Sequence, residues 1–395
     1  MKRGCVVLAW HTLFNDFIDM DGTDILNEKT ILLTLTNKCN LNCIYCYEGL
    51  KNPKVMDFET AKSIIKNEIG LDKNGVFLIE FHGGEPFLNF GLLRQICEWF
   101  WQTFPEAKTR FFVTTNGTKF TEESKLWLSN NKQKITVALS LDGTPEMNLK
   151  NRGCSISDEV LLFVHNNWPI QNIKMTISEK TFGMLSQGVI YAHELGFPVS
   201  VNLAYGVDWN PNDVDIYAHE LDKLVYYYSK HPEVEKCSIF SKSIIPILKP
   251  YEVTRHCQAG RKFKAYDVDG NYFPCHVFSS NTLKSDEWEK ISTCDFENDN
   301  TLYEDTSCKE CVIHNICPTC YGMNFIERGH PGIRDKRMCK FIFQEKIALS
   351  KLKKIEILRK KISDISEIEY LELKAIQKFE NALVDKQKVS CLNTY

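Results

Sequence analysis

The chain has 395 residues, 43% hydrophobic and 12% aromatic, ample for a sizeable core; a prior of about 150 residues per domain suggests two or three domains. A net charge of −3 and a pI near 6.4 leave no electrostatic footprint for nucleic acid, and no run approaches the roughly 18 apolar residues that a membrane span requires. Sixteen cysteines are the outlier: the chain is far too long to need a disulfide scaffold, so clustered thiols read as metal ligands kept reduced in the cytoplasm.

Residues 1–30 read as a strand or hairpin lead-in. Lys2 and Arg3 precede an apolar stretch, but His11, Asp16, Asp19 and Asp21 follow it without a small-residue cleavage site, so it is not read as a signal peptide. Ile31–Thr36 is predicted as a strand, followed by a thiol-rich loop. Asp57 caps a helix with apolar positions Ile64, Ile65 and Ile69, stopped by Gly70. Val76–Phe81 has the near-continuous apolar run of a strand buried on both faces. A helix over 89–104 is closed by Pro105, Arg110–Thr115 is a strand, and Thr121 caps a helix to Asn130. The alternation continues with strands at 135–141, 172–177 and 198–203 and helices at 157–167, 181–195 and 213–230.

Strand–helix units in such a row mean a parallel sheet with helical crossovers. Six units fall short of the eight that close a full barrel, so the expected fold is α/β, a partial (β/α)6 TIM-like barrel over 31–235. The unusual sequences gather at one edge of it. The thiol loop follows strand one, and His82-Gly83-Gly84-Glu85-Pro86 follows strand two. Thr114–Thr118, Ser140–Gly143, and Thr176 with Ser178 end strands three, four and five. Such folds place their active sites at the carboxyl ends of the strands. From about residue 235 the rhythm stops. A helical segment over 237–248 leads to a turn-rich, cysteine-rich domain (236–340), and a helical segment (341–395) closes the chain, with helices at 341–362 and 366–386. The basic run at 351–361 reads as a solvated helix face.

The loop after strand one carries Cys39, Cys43 and Cys46 as C-x3-C-x2-C. Three thiols are one short of the four that a closed zinc site or a fully ligated cubane takes, which leaves one iron open for a ligand that is not protein. A zinc loop borrowing a fourth ligand from elsewhere is the alternative. The second array runs Cys257-x12-Gly270-x4-Cys275, then Cys308-x2-Cys311-x5-Cys317-x2-Cys320, then Cys339. Its turn-rich setting cannot build much core, and metal–thiolate bonds would hold it together. Four of these thiols, Cys308, Cys311, Cys317 and Cys320, would also suit a zinc ribbon. Cys5, Cys97, Cys154, Cys237, Cys294 and Cys391 read as ordinary thiols, although Cys294 is a spare ligand close to the array.

With Tyr45 before the third cysteine, the first array resembles the radical S-adenosylmethionine (SAM) superfamily, in which SAM chelates the open iron of a [4Fe–4S] cluster and is cleaved to a 5′-deoxyadenosyl radical. The resemblance implies that Gly83, Gly84 and Glu85 bind the amino group of SAM, that Asn116, Ser140 and Asp142 face its ribose and methionine parts, and that Arg152 pairs with its carboxylate. Ser140 and Asp142 could instead cap the segment after them, and Arg152 could be a surface charge. The second array resembles the SPASM domain of maturases that act on peptides and proteins, which binds two auxiliary [4Fe–4S] clusters; its usual final gap is one residue longer. By that resemblance Cys308, Cys311, Cys317 and Cys339 hold a closed distal cluster, and Cys257, Cys275 and Cys320 hold a proximal one that is a ligand short.

These resemblances imply a maturase that modifies a ribosomally made precursor peptide, forming a thioether or another crosslink. It would take electrons from a flavodoxin or ferredoxin; as 30 residues before strand one are too few for a fused recognition domain, a separate peptide-recognition protein, a leader-independent mode or a part for the helical pair after Cys339 is implied. Sulfatase maturases, the nearest alternative, carry an aspartate after the cysteine matching Cys275. Here His276 stands there, a candidate proton acceptor. A non-catalytic zinc-binding scaffold is the alternative of another class.

Overall fold

A computed structural model describes residues 28–384 except 51, 73, 254 and 256. The lead-in expected before residue 28, the tail after 384, Cys5 and Cys391 lie outside the described residues. The chain divides into two compact units. The first takes in the chain to Leu141, Arg152–Lys174 and His256–Asp299; the second takes in Asp142–Asn151, Met175–Arg255 and the chain from Asn300.

The first unit is built on a six-stranded sheet. β1 (Lys29–Thr36), β2 (Phe77–Gly83), β3 (Thr109–Thr115) and β4 (Ile135–Leu139) lie in the order β4-β3-β2-β1, all parallel. Ile31, Leu32, Leu33 and Leu35 of β1 are almost fully buried, as a central strand covered on both faces requires. The crossovers are α1 (Phe58–Leu71), α2 (Phe90–Thr103) and α3 (Glu122–Asn131). Their starts were written in the sequence: Asp57 accepts from Thr60 N at 2.9 Å, and Thr121 and Ser124 close a reciprocal capping box. Cys97 is fully buried in α2 as packing.

A helix that the periodicity did not announce, α4 (Pro145–Arg152), precedes α5 (Asp158–Asn167). β5 (Ile173–Ile177) and β6 (Val199–Leu203) form a separate two-stranded pair, with α6 (Leu185–Glu194) between them and α7 (Val214–Lys230) after. The free edge of β1 is filled from the cysteine-rich stretch. β7 (Phe263–Tyr266) pairs parallel to β1, Thr30 against Phe263 through Leu33 against Tyr266, and β8 (Tyr272–Phe273) turns back antiparallel on β7. Gly270, at φ +83°, makes that turn, and α8 (Ser285–Ser292) follows.

In the second unit, α9 (Tyr321–Arg328), α10 (Cys339–Leu358) and α11 (Glu367–Val384) complete the helices. α10 packs on α7, where the buried Tyr217 hydroxyl donates to Glu345 at 2.9 Å. The helix expected over 237–248 is only a short 3-10 turn at Ile245–Leu248. Ser238 is drawn off as an extra edge on β6: its N–H donates to Val199 O at 3.1 Å, its hydroxyl donates to Val201 O at 2.9 Å, and the same oxygen accepts from Val201 N at 2.8 Å. Those bonds compete with a helix ladder.

Candidate cofactor and metal centre

The cysteine loop leaves the carboxyl end of β1 and is held there by the turn after β2. Gly84 N donates to Thr36 O and Glu85 N to Lys38 O, both at 2.9 Å. A Cβ on Gly83 would stand 2.2 Å from Thr36 O, and one on Gly84 2.3 Å from Lys38 O and 2.8 Å from the Cys39 Cβ. Both glycines are therefore there because the two backbones touch. The loop turns on itself through Cys46 N to Cys43 O at 3.1 Å, and Leu41 N donates to Cys39 Sγ at 3.4 Å. Cys39 and Cys43 are half-buried and Cys46 is exposed.

Side chains at the next strand end complete the frame. Glu85 is 1% exposed, and its carboxylate accepts from Thr115 Oγ1 at 2.7 Å, Asn116 N at 2.8 Å and Phe87 N at 3.1 Å. It ties β2 to β3; burial raises its pKa, while these donors pull the other way. The Asn116 amide donates to Asn40 Oδ1 at 3.2 Å, and Asn40 donates to Thr118 Oγ1 at 2.8 Å, so a residue inside the thiol array is fastened to the end of β3. Arg152 is buried, not a surface charge, and its guanidinium stands 5.6 Å from the Tyr45 ring centre. Ser140 is buried at the end of β4, where its N–H donates to Thr115 O at 2.8 Å.

Asp142 falls in the second unit and is fully buried. Its oxygens accept from Thr176 N at 2.9 Å and Asn151 Nδ2 at 3.1 Å, while its own N–H donates to Asn148 at 3.0 Å. Ser178 donates to Asn151 at 2.7 Å in the same knot. These bonds tie Asp142 to β5 and to side chains of α4, not to the N–H groups of the first turn of that helix as capping would.

His276 is brought to the thiol loop. Its ring stacks on His82 at 4.8 Å and lies 5.7 Å from Tyr47, whose hydroxyl is 3.3 Å from His82 Nε2. Asn281 fixes the same junction: it donates to Asn37 at 2.8 Å, and its carbonyl accepts from Leu50 N at 2.8 Å. Burial, helped by Lys174, pushes His276 down to about 4, so the imidazole is held neutral and its protonated form is disfavoured. Lys174 on β5 is itself lowered to about 8 by burial, with Glu80 opposing and Arg152 adding to the fall. Tyr47, Glu80 and Lys174 were missed in the sequence, and His82 was read only as part of the turn after strand two. The available signal was that His82 and Tyr47 directly flank the two motifs.

The second array is split between the units. In the first, Gly260 N donates to Pro274 O at 2.8 Å, joining the stretch after Cys257 to the residue before Cys275. Cys320 lies in the second unit as the N-cap of α9. The remaining thiols of the array, Cys308, Cys311, Cys317 and Cys339, line one cavity with Tyr205, His314, Arg334 and Phe343. Lys336 Nζ is 2.9 Å from Cys308 Sγ and 3.0 Å from Asp305. Burial works against the Lys336 charge, but the thiol and carboxylate outweigh it and raise its pKa. Asp305, despite burial, is held at about 2 by Ser307, the Arg334 N–H and Lys336. Soft thiolates around one cavity, with cations against the sulfur, are the donor chemistry that an anionic iron–sulfur cluster takes. Among the described residues no three His, Cys, Asp or Glu side chains are set around a single metal ion.

Residues 33–221 match the model of the radical SAM superfamily. An uncharacterized protein of Methanocaldococcus jannaschii, MJ0907, is 40% identical over 115 residues, 29% of this chain and 39% of that protein. The subtilosin biosynthesis protein AlbA of Bacillus subtilis is 27% identical over 277 residues, 65% of this chain and 58% of AlbA. The chain thus spans well under two thirds of either relative. Among solved structures, anSMEcpe with bound AdoMet superposes with a TM-score of 0.61 at 18% identity, covering 88% of this chain and 98% of that one. That protein has also been solved with AdoMet and a Cp18Cys peptide. At this identity the likeness establishes a shared fold, mixed α/β with a parallel sheet.

Proposed function

We propose that this protein, whose residues 33–221 match the radical SAM superfamily, is a radical SAM maturase acting on a ribosomally made precursor peptide and forming a thioether or another crosslink. The observation that carries the reading is the pairing of an open, three-thiol loop on the sheet edge with a second, closed thiol cavity, in a chain related to AlbA. Cys39, Cys43 and Cys46 hold the [4Fe–4S] cluster. The backbone of Gly83, Gly84 and Glu85, with Asn116, Ser140 and Arg152, forms the SAM cradle. Asp142 shapes the neighbouring segment. When bound, cluster and SAM supply a 5′-deoxyadenosyl radical that abstracts hydrogen from the substrate.

Cys308, Cys311, Cys317 and Cys339 hold one auxiliary [4Fe–4S] cluster, and Cys257 and Cys275 are left for a second. His276, stacked on His82 beside the thiol loop, is the candidate acceptor of the proton lost as the substrate is oxidised. The substrate peptide, a flavodoxin- or ferredoxin-type electron donor and a separate recognition protein are the partners. The protein works in the cytoplasm; among the described residues no helix is long and apolar enough to cross a membrane.

The likeness to anSMEcpe over 88% of the chain favours a second reading, formylglycine formation on a sulfatase, with His276 where those enzymes use aspartate. The test uses anaerobically reconstituted protein. The expected result is about twelve irons per chain and 5′-deoxyadenosine on adding dithionite and SAM. A mass change in a cysteine-containing peptide then separates crosslinking (loss of two hydrogens) from formylglycine. One or two zincs, or filled clusters that never yield 5′-deoxyadenosine, would sink the assignment.

A further inference from the structure

The thiol cavity of the second unit contains charge that cluster ligation alone does not require. Lys336 Nζ sits 2.9 Å from Cys308 Sγ. Its carboxylate partner Asp305 is pinned by Ser307 N at 3.0 Å and Arg334 N at 2.9 Å, so the ammonium is fixed and not a swinging surface group. Lys336 is 24% exposed at the side chain and Arg334 6% exposed overall. The Arg334 guanidinium donates to the Cys317 carbonyl at 3.3 Å and lies 3.3 Å from His314 Nε2. Two cations from one three-residue stretch, 334–336, thus stand beside Cys308 and Cys317. Solvent screens such partly buried charges weakly.

A thiolate-ligated cluster is anionic and becomes more so by one charge when reduced. A cation hydrogen-bonded to ligand sulfur therefore stabilises the reduced form more than the oxidised one, and the potential rises. We propose that Lys336, backed by Arg334, sets the reduction potential of the cluster held by Cys308, Cys311, Cys317 and Cys339, making it easier to reduce. The inference rests on the reading that these four thiols carry an iron–sulfur cluster.

The test is an anaerobic redox titration followed by electron paramagnetic resonance. It uses the full-length, cluster-loaded chain with Cys39, Cys43 and Cys46 replaced by alanine, so that only signals from the second array remain. In that background Lys336→Met should move one signal to lower potential. At fixed potential the ratio of reduced to oxidised cluster should fall roughly tenfold, equivalent to 59 mV for one electron. Lys336→Arg, which keeps the charge, should leave it near the parent value. Full iron and sulfide content with no signal moved overturns the proposal alone. If Lys336→Met loses iron, Lys336→Gln is titrated in its place. Loss of about four irons in both means that the lysine builds the site and does not tune it, which also overturns the proposal. A parent protein that takes up no iron in this background overturns the cluster reading, and the proposal with it.

Discussion

The two thiol sites are built by opposite means. The loop after β1 owes its position to main chain lying on main chain, with Gly83 and Gly84 pressed against Thr36 and Lys38, and one of its three thiols, Cys46, remains exposed. The cavity of the second unit owes its character to side chains: three thiols from short turns and Cys339 at the start of α10 line it, Cys308 is buried, and Lys336 touches its sulfur. A site that must admit a cofactor leaves a side open and takes its rigidity from the sheet behind it. A site that, as proposed, holds an auxiliary cluster needs no such opening and can surround itself with counter-charge.

The sharpest way to break this contrast is to delete one site at a time. Replacing Cys39, Cys43 and Cys46 with alanine should remove about four of some twelve irons and all SAM cleavage. Replacing Cys308, Cys311 and Cys317 should remove a similar share of iron yet leave cleavage of SAM to 5′-deoxyadenosine; iron analysis and chromatography read both. Loss of cleavage in the second variant would mean that the two sites are not independent. A smaller effect tests the backbone contact. Gly84→Ala puts a methyl 2.3 Å from Lys38 O; overpacking of this kind should cost about 1–3 kcal/mol and lower iron uptake at the loop, while Gly91→Ala, where a Cβ meets nothing within 4 Å, should not.

An effect of similar size, confined to stability, concerns Asp305 beside the cavity. Its folded pKa of about 2 lies below the usual carboxylate value of 3.8, so its ionised form stabilises the fold above that value, and the contribution is lost as pH falls from about 4 through 2. Asp305→Asn should cost roughly 2 kcal/mol near neutrality, and the gap between variant and parent in chemical denaturation should narrow across that acid window. A gap that stayed constant down to pH 2 would show that Asp305 acts by packing and not by charge.

Local signals decided what the sequence made legible. Apolar runs and caps such as Asp57 and Thr121 gave the strand–helix alternation, and Gly-Gly-Glu-Pro marked the turn that meets the thiol loop. Long-range pairing carried no such signal. β7 and β8 are four and two residues long in turn-rich sequence, too short for any period to show, yet they complete the sheet. His82 and His276 are 194 positions apart, so only the fold stacks them. Asp142 and Glu85 were conspicuous as acids in polar turns, but a carboxylate is equally suited to collecting backbone N–H groups, and that is what both do. Ser238 defeated a helical expectation by bonding to β6.

β7 also limits how this protein can be cut down. A chain truncated at residue 235 would look complete on a linear map, with every strand–helix repeat retained. It would strip the partner from Thr30–Leu33 and sever the Asn281 links to Asn37 and Leu50. The bared strand would then offer a row of unpaired amides to any neighbouring molecule, and the minimal fragment would invite self-association beside its own thiol loop.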